Sequence, residues 1–329
     1  MTFAKFTKSA LVGALMATVA AGAAQARELR MGLITPPSHV WTKVANRIAE
    51  KLPEATDGEL TVAVFPAGQL GSEQEMFQQL SAGLLDAGLM TAAITSLRAP
   101  SMQGWFTPHL FADVTEAQAA AELPAAQKML EELQRANLHG MGYTFAGMRH
   151  ILMQGAPAGS VEDLADKKIR IVPFPAMKVW WGEVGAVPTP VNLTQVYQAL
   201  QTGLLDGIDI DLDALVGLKF DEVAKGLTIT NHMAFPSVMM VSNPTWMSLS
   251  DEQKAAFQAV VDEALAWGSE SQVTAEESNL ASLEGKLEIL HLEDGETAFA
   301  GADAAVQASF AQYPLIAEFQ SEVKAEQGE

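Results

Sequence analysis

The stretch "GELTVAVFPAGQLGSEQEMFQQLSAGLLDAGLM", Gly58 to Met90, reads as strand, helix and strand in quick succession. Leu60–Pro66 is an apolar, β-branched run closed by proline, which is the composition of a short strand. Ser72 with Glu75 three residues later forms a capping box that starts a helix. "LDAGLMTA" then supplies the next strand. A β-α-β order with connections this short implies a mostly parallel α/β sheet.

The alternation extends outward on both sides. Upstream, Glu28–Ile34 reads as a strand ending at Thr35-Pro36-Pro37, and Trp41, Val44, Ile48 and Leu52 mark one face of a helix. Downstream, a second cycle begins near Arg149. "IRIVP" is a strand, "AMKVWWGEVGA" a helix, "NLTQVYQALQTGLLDG" a helix capped at Asn192 or Thr194, and "GIDIDLD" a strand. From Asp251 the chain turns helical, with Phe257, Val260, Val261, Leu265 and Trp267 on its apolar face. The expected fold is α/β and bilobed, two α/β lobes around a cleft. Residues 27–146 with 235–275 form the first lobe, and 147–234 with 276–329 the second. No low-complexity linker separates them, so several tight crossings should join them. Ligands of open α/β sheets sit at the carboxyl ends of strands, which makes the cleft the default site.

The first residues read as an export signal. Lys5 and Lys8 precede an apolar run from Ala10 to Ala21, and Ala24-Gln25-Ala26 is a small-residue cleavage site, so 1–26 is expected to be a signal peptide and the protein periplasmic. The leader carries two lysines and no acid, so its removal moves the formal charge from −20 to −22. Such acidity argues against nucleic acid or anionic lipid as a partner. With no cysteine, a disulfide scaffold, thiolate catalysis and thiolate-bound metal are excluded.

Two stretches resemble the DctP-type substrate-binding proteins of TRAP (tripartite ATP-independent periplasmic) transporters. Gly58–Met90 is similar to their first signature. "GAVPTPVNLTQVYQALQTGLLDG", Gly185–Gly207, is similar to their second, with Pro188-Thr189-Pro190, Tyr197, Ala199–Gly203 and Asp206-Gly207 in order. The resemblance implies a monomeric periplasmic protein whose long helix belongs to both lobes. It implies closure around a small organic acid, which is delivered to the membrane subunits of an ion-gradient-driven transporter, with no cofactor and no enzymatic step.

By the same resemblance, Arg170 in "IRIV" matches the arginine that clamps a substrate carboxylate in this family. A planar, permanently charged fork suits that task, since it can make two parallel hydrogen bonds. The competing expectation for Arg170 is an ion pair with Glu162, Asp163 or Asp166. Arg149 matches a second family arginine often near the ligand, with an internal ion pair as the alternative. His39, beside Trp41, follows the first strand where a ligand-contacting loop lies, and Thr91 follows the third strand as a candidate hydroxyl donor. Trp105 and Phe235 are candidate apolar walls. Trp180 and Trp181 are adjacent on a helix and point about 100° apart, so both cannot face one pocket.

"DGIDIDLD" departs from the Asp-Gly-Gln-Glu-Asn-Pro of many members. Ile210 stands where the family's asparagine adds a second hold on the carboxylate. Alternation puts Asp209, Asp211 and Asp213 on one face, either as solvated groups of an edge strand or bordering the cleft. In the second case Asp209 or Asp211 would take a hydroxyl, an amine or, as in some family members, a bridging metal ion. No metal is expected from a D-x-D-x-D lacking the remaining calcium-loop residues. An enzyme is disfavoured, because no nucleophile elbow, P-loop, dinucleotide fingerprint or zinc motif is present. A protein that presents its ligand to a sensor would share every feature above.

Overall fold

The computed structural model describes residues 26–292 and 294–328. The signal peptide expected over 1–26 therefore lies outside the described residues, Ala26 apart. The first unit opens with β1 (Arg27–Gly32), α1 (Val40–Ala55), β2 (Leu60–Phe65), α2 (Glu73–Ser81) and β3 (Ala87–Thr91). It continues through α3 (Ala92–Thr95), α4 (Val114–Ala119), α5 (Pro124–Glu132) and β4 (Leu138–Met148). The chain then enters a second unit with β5 (His150–Met153), β6 (Lys168–Ile171), α6 (Pro175–Glu183) and β7 (Val187–Pro190). There follow α7 (Val196–Gln201), β8 (Gly207–Ile210), α8 (Leu212–Gly217) and β9 (Gly226–Ile229). It returns as β10 (Ala234–Ser242) and α9 (Asn243–Met247). The long α10 (Asp251–Leu283) leads to β11 (Glu288–His291), α11 (Gly295–Ser309) and α12 (Pro314–Gln327).

One sheet has the order β2-β1-β3-β10-β4 and the other β11-β9-β5-β8-β6-β7. The sheets are mixed where a mostly parallel arrangement was expected. β1 pairs parallel with β2 and β3, but β10 is antiparallel to β3 and β4, and β5 is antiparallel to β8 and β9. The crossings explain this. β4 runs out into β5 while β9 runs back into β10, so the two connecting ribbons travel in opposite directions. They touch where the Arg149 amide donates to the Met233 carbonyl at 2.8 Å.

The third crossing is α10, roughly 50 Å long at 1.5 Å per residue. A Ser250/Gln253 capping box starts it, the same device that starts α2 with Ser72 and Glu75. It packs against α1, β4 and α4 of the first unit and α8 of the second, so it belongs to both. Gly268 permits the close approach to α1, since a Cβ there would lie 2.5 Å from Val44 Cγ2.

Three expectations are corrected here. β8 is no edge strand with solvated carboxylates, because it lies between β5 and β6 and every residue of it is buried. The C-terminal segment does not stay with the second unit. α11 packs on α6, but α12 docks back on α5, with Lys128 bonded to Glu318 and the Ala125 amide to Glu322. Trp105 lines no cleft. It is fully buried among Phe111, Tyr143, Phe145 and Phe319, anchoring α12 to the first unit.

Candidate functional site

The carboxyl ends of β1, β3, β6 and β8 converge on a cavity of about 280 Å³ between the two units, as the strand-end rule requires. The first unit contributes Ile34, Thr35, His39, Trp41, Glu73, Thr91, Ile94 and Phe235. The second contributes Arg170, Val172, Val191, Leu193, Ile210 and Asp211, and Arg149 enters from the crossing between them. Seven of the sequence candidates thus come together: Arg170, Arg149, His39, Thr91, Ile210, Asp211 and Phe235.

Arg170 is 4% exposed at the end of β6. Its Nε donates to the Val191 carbonyl at 2.9 Å, which aims the fork. Among the described residues no carboxylate pairs with it. Glu162, Asp163 and Asp166 do not: Asp163 instead accepts from the Gly159 and Ser160 amides. Burial and then repulsion from Arg149 lower the Arg170 guanidinium to about 10. A buried cation without a counter-ion costs free energy that an arriving anion recovers.

Arg149 has the opposite fate. It is 1% exposed, and its Nε donates to Asp209 Oδ1, Nη2 to the Asp209 carbonyl, and Nη1 to Asp211 Oδ2 at 3.0 Å. The Phe235 ring covers the guanidinium at 4.2 Å. Asp209 also accepts from Trp181 Nε1 at 2.8 Å and lies 2.9 Å from His232 Nε2. Burial alone would push the Asp209 carboxyl up, but Arg149 and His232 overcome it and hold the group well below the usual carboxylate range. Asp209 is therefore fully buried behind the cavity wall, not a cleft-facing contact. Trp180 is corrected likewise. It stacks on His232 at 4.6 Å and donates to Asp303, and neither it nor Trp181 reaches the cavity.

Asp211 does reach the cavity, because the strand alternation stops at Ile210. The chain turns there into α8, and Asp211 caps it by accepting from the Ala214 amide at 2.8 Å. On α8, Asp213 accepts from the Val40 amide at the start of α1 at 2.7 Å, a direct tie across the cleft. His39, the cap of α1, sits 3.7 Å from Asp211 and 3.8 Å from Asp213. Among the described residues no group of three or more histidine and carboxylate side chains is placed to hold a metal ion.

Sequence reasoning missed Glu73. It occupies the first turn of α2, yet its carboxylate reaches away from the helix to accept from the Thr91 amide at 2.7 Å and the Thr91 hydroxyl at 3.1 Å. Burial, opposed by those bonds and by Arg170, pushes the Glu73 carboxyl up to about 7. The Ser72/Glu75 box was the visible signal at that helix start. Nothing local distinguishes an acid serving the helix dipole from one turned into a cleft.

The family model for bacterial extracellular solute-binding protein, family 7 (DctP) matches residues 31–312. The sialic acid-binding periplasmic protein SiaP of Vibrio cholerae is 31% identical over 252 residues, covering 76% of this chain and 78% of its own. A TRAP periplasmic solute-binding protein from a Polaromonas species, bound to D-erythronate, superposes with a TM-score of 0.85 at 25% identity. That match covers 91% of this chain and 98% of the other. The galactonate complex of the sugar acid binding protein DctPAm from Advenella mimigardefordensis shares the fold at a TM-score of 0.87, with 22% identity over 92% and 99% of the two chains.

Proposed function

The chain belongs to the bacterial extracellular solute-binding protein family 7, the DctP family, and from that membership we propose that it captures a small organic acid in the periplasm for the membrane subunits of a TRAP transporter. The observation that carries this reading is Arg170, a buried guanidinium in a cavity of ligand size with no carboxylate partner among the described residues. The relatives' named ligands, sialic acid, D-erythronate and galactonate, are themselves carboxylic acids. Family membership favours binding and delivery over catalysis, and no helix among the described residues is long and apolar enough to cross a membrane.

The test is a thermal-shift screen of aromatic acids, aliphatic acids, dicarboxylates and sugar acids, each beside its neutral amide. An acid at about 100 times its Kd stabilises the native state by roughly 2.7 kcal/mol. The amides should do nothing. Amides that stabilise as well as their acids would sink the carboxylate reading.

Binding should also depend on pH. Protonated, Glu73 is a neutral hydrogen-bond donor beside the ligand's carboxylate, and ionised it repels it. Its pKa is raised to about 7, so affinity is expected to fall as pH rises from 6 to 8, with proton uptake on binding. Calorimetry in buffers of different ionisation enthalpy measures both. Glu73→Gln should flatten the profile. A steep profile surviving in that variant would assign the proton to another group.

A further inference from the structure

We propose that the cavity takes a monocarboxylate with an apolar body, and that Asp211, by engaging Arg149 at the cavity wall, excludes a second ligand carboxylate. The proposal rests on Arg170 being the anchor proposed above, and it concerns what the rest of the cavity accepts.

Two guanidinium groups border the cavity, which by itself would fit a dicarboxylate. Of these, only Arg170 lacks a carboxylate partner among the described residues. Arg149 is engaged through Nε, Nη1 and Nη2 by Asp209 and Asp211, and Phe235 lies over it. Asp209 and Asp211 are both committed to Arg149, so among the described residues Arg170 is the cavity guanidinium left to receive one ligand carboxylate, while a second would be buried beside Asp211 with no free cation to meet it.

The walls argue against a polyhydroxylated body. Ile94 and Phe235 face the cavity from one unit, and Val172, Val191, Leu193 and Ile210 from the other. The buried hydroxyls are already used. Thr91 serves Glu73 and the Ile94 amide, and Thr35 pairs with Thr42 at 2.9 Å. Of the other neutral polar groups, those on Gln74, Asn192 and Thr194 belong to exposed residues, and the buried Trp41 Nε1–H is a single unpartnered donor. Each sugar hydroxyl brought inside needs a partner, and this interior offers few. Ile210, at the end of β8, adds a further apolar side chain to the wall.

Calorimetry with phenylacetate, 4-methylpentanoate, succinate and D-glucuronate decides. One of the two apolar monocarboxylates should bind at least ten-fold tighter than succinate and glucuronate. Asp211→Asn keeps an oxygen for the Ala214 amide but releases part of Arg149, so it should raise succinate affinity ten-fold or more. Succinate or glucuronate binding tightest to the unmodified chain, or none of the four binding, overturns the ligand class. No gain of succinate affinity in Asp211→Asn overturns the role of Asp211. Arg170→Ala separates this proposal from the anchor itself. If it abolishes binding of whichever acid binds tightest, the anchor stands even where the class is wrong. If that acid binds it undiminished, the anchor has failed.

Discussion

Arg170→Ala is expected to weaken binding of the acid by about 2–5 kcal/mol, roughly thirty-fold to several thousand-fold in Kd. The reason is geometric before it is electrostatic. Nε is fixed on the Val191 carbonyl at the end of β6, so the side chain does not search for the ligand. Arg170 is itself buried, so a ligand carboxylate brought against that position is left desolvated and unpaired once the fork is gone. Arg170→Lys should recover part of the loss, since it retains the charge but not the bidentate geometry. The ligand-free variant carries a second expectation. Arg170 has no carboxylate partner among the described residues and its own burial is unfavourable, so Arg170→Ala should melt no lower than the parent in the absence of ligand. Calorimetry and melting together read both. Unchanged affinity, or a large loss of unliganded stability, would make Arg170 a structural residue.

Locally, the sequence marked Arg170 only as a charged residue in a short apolar strand, with an ion pair as the competing expectation; its reading as a carboxylate clamp came from the resemblance. The α2 start was legible because a capping box is written within four residues. Arg149 was not. Its partners Asp209 and Asp211 lie about sixty residues away and meet it only because β5 pairs with β8, His150 opposite Ile210. Alternation correctly separated Ile208 and Ile210 from Asp209, but a period of two says nothing about whether the polar face meets water or an arginine. The tryptophans failed for a similar reason. Trp105 and Trp181 are spent on α12 and on Asp209, contacts set by the third dimension. The likeness of the two arginines in sequence thus conceals opposite surroundings, one without a carboxylate partner among the described residues and one paired with two aspartates.

Arg149→Ala should accordingly be the damaging substitution for folding, by about 3–5 kcal/mol. It leaves Asp209 and Asp211 buried without their shared cation, at the crossing where β4 passes into β5 and both units meet. Asp209 retains Trp181 and His232, and Asp211 retains the Ala214 amide, so the loss is large without being total. The pH dependence identifies the cause. In the parent both carboxyls lie below their ordinary range, so the stability they contribute is present above the unfolded carboxylate pKa and is lost only as pH falls through the lower folded values. Without Arg149 the burial that raises them is less opposed, and their folded pKa values move up. The variant's deficit should then shrink on going from pH 8 to pH 5, where protonation relieves the stranded charges. Adding Asp209→Asn and Asp211→Asn to Arg149→Met should restore much of the loss, because no unpaired charge remains. Urea melts at the two pH values measure all of this. An Arg149→Ala protein as stable as the parent, or one whose deficit deepens at pH 5, would show that the arginine does not neutralise these aspartates, and the pairing that leaves Arg170 alone for the ligand would fall with it.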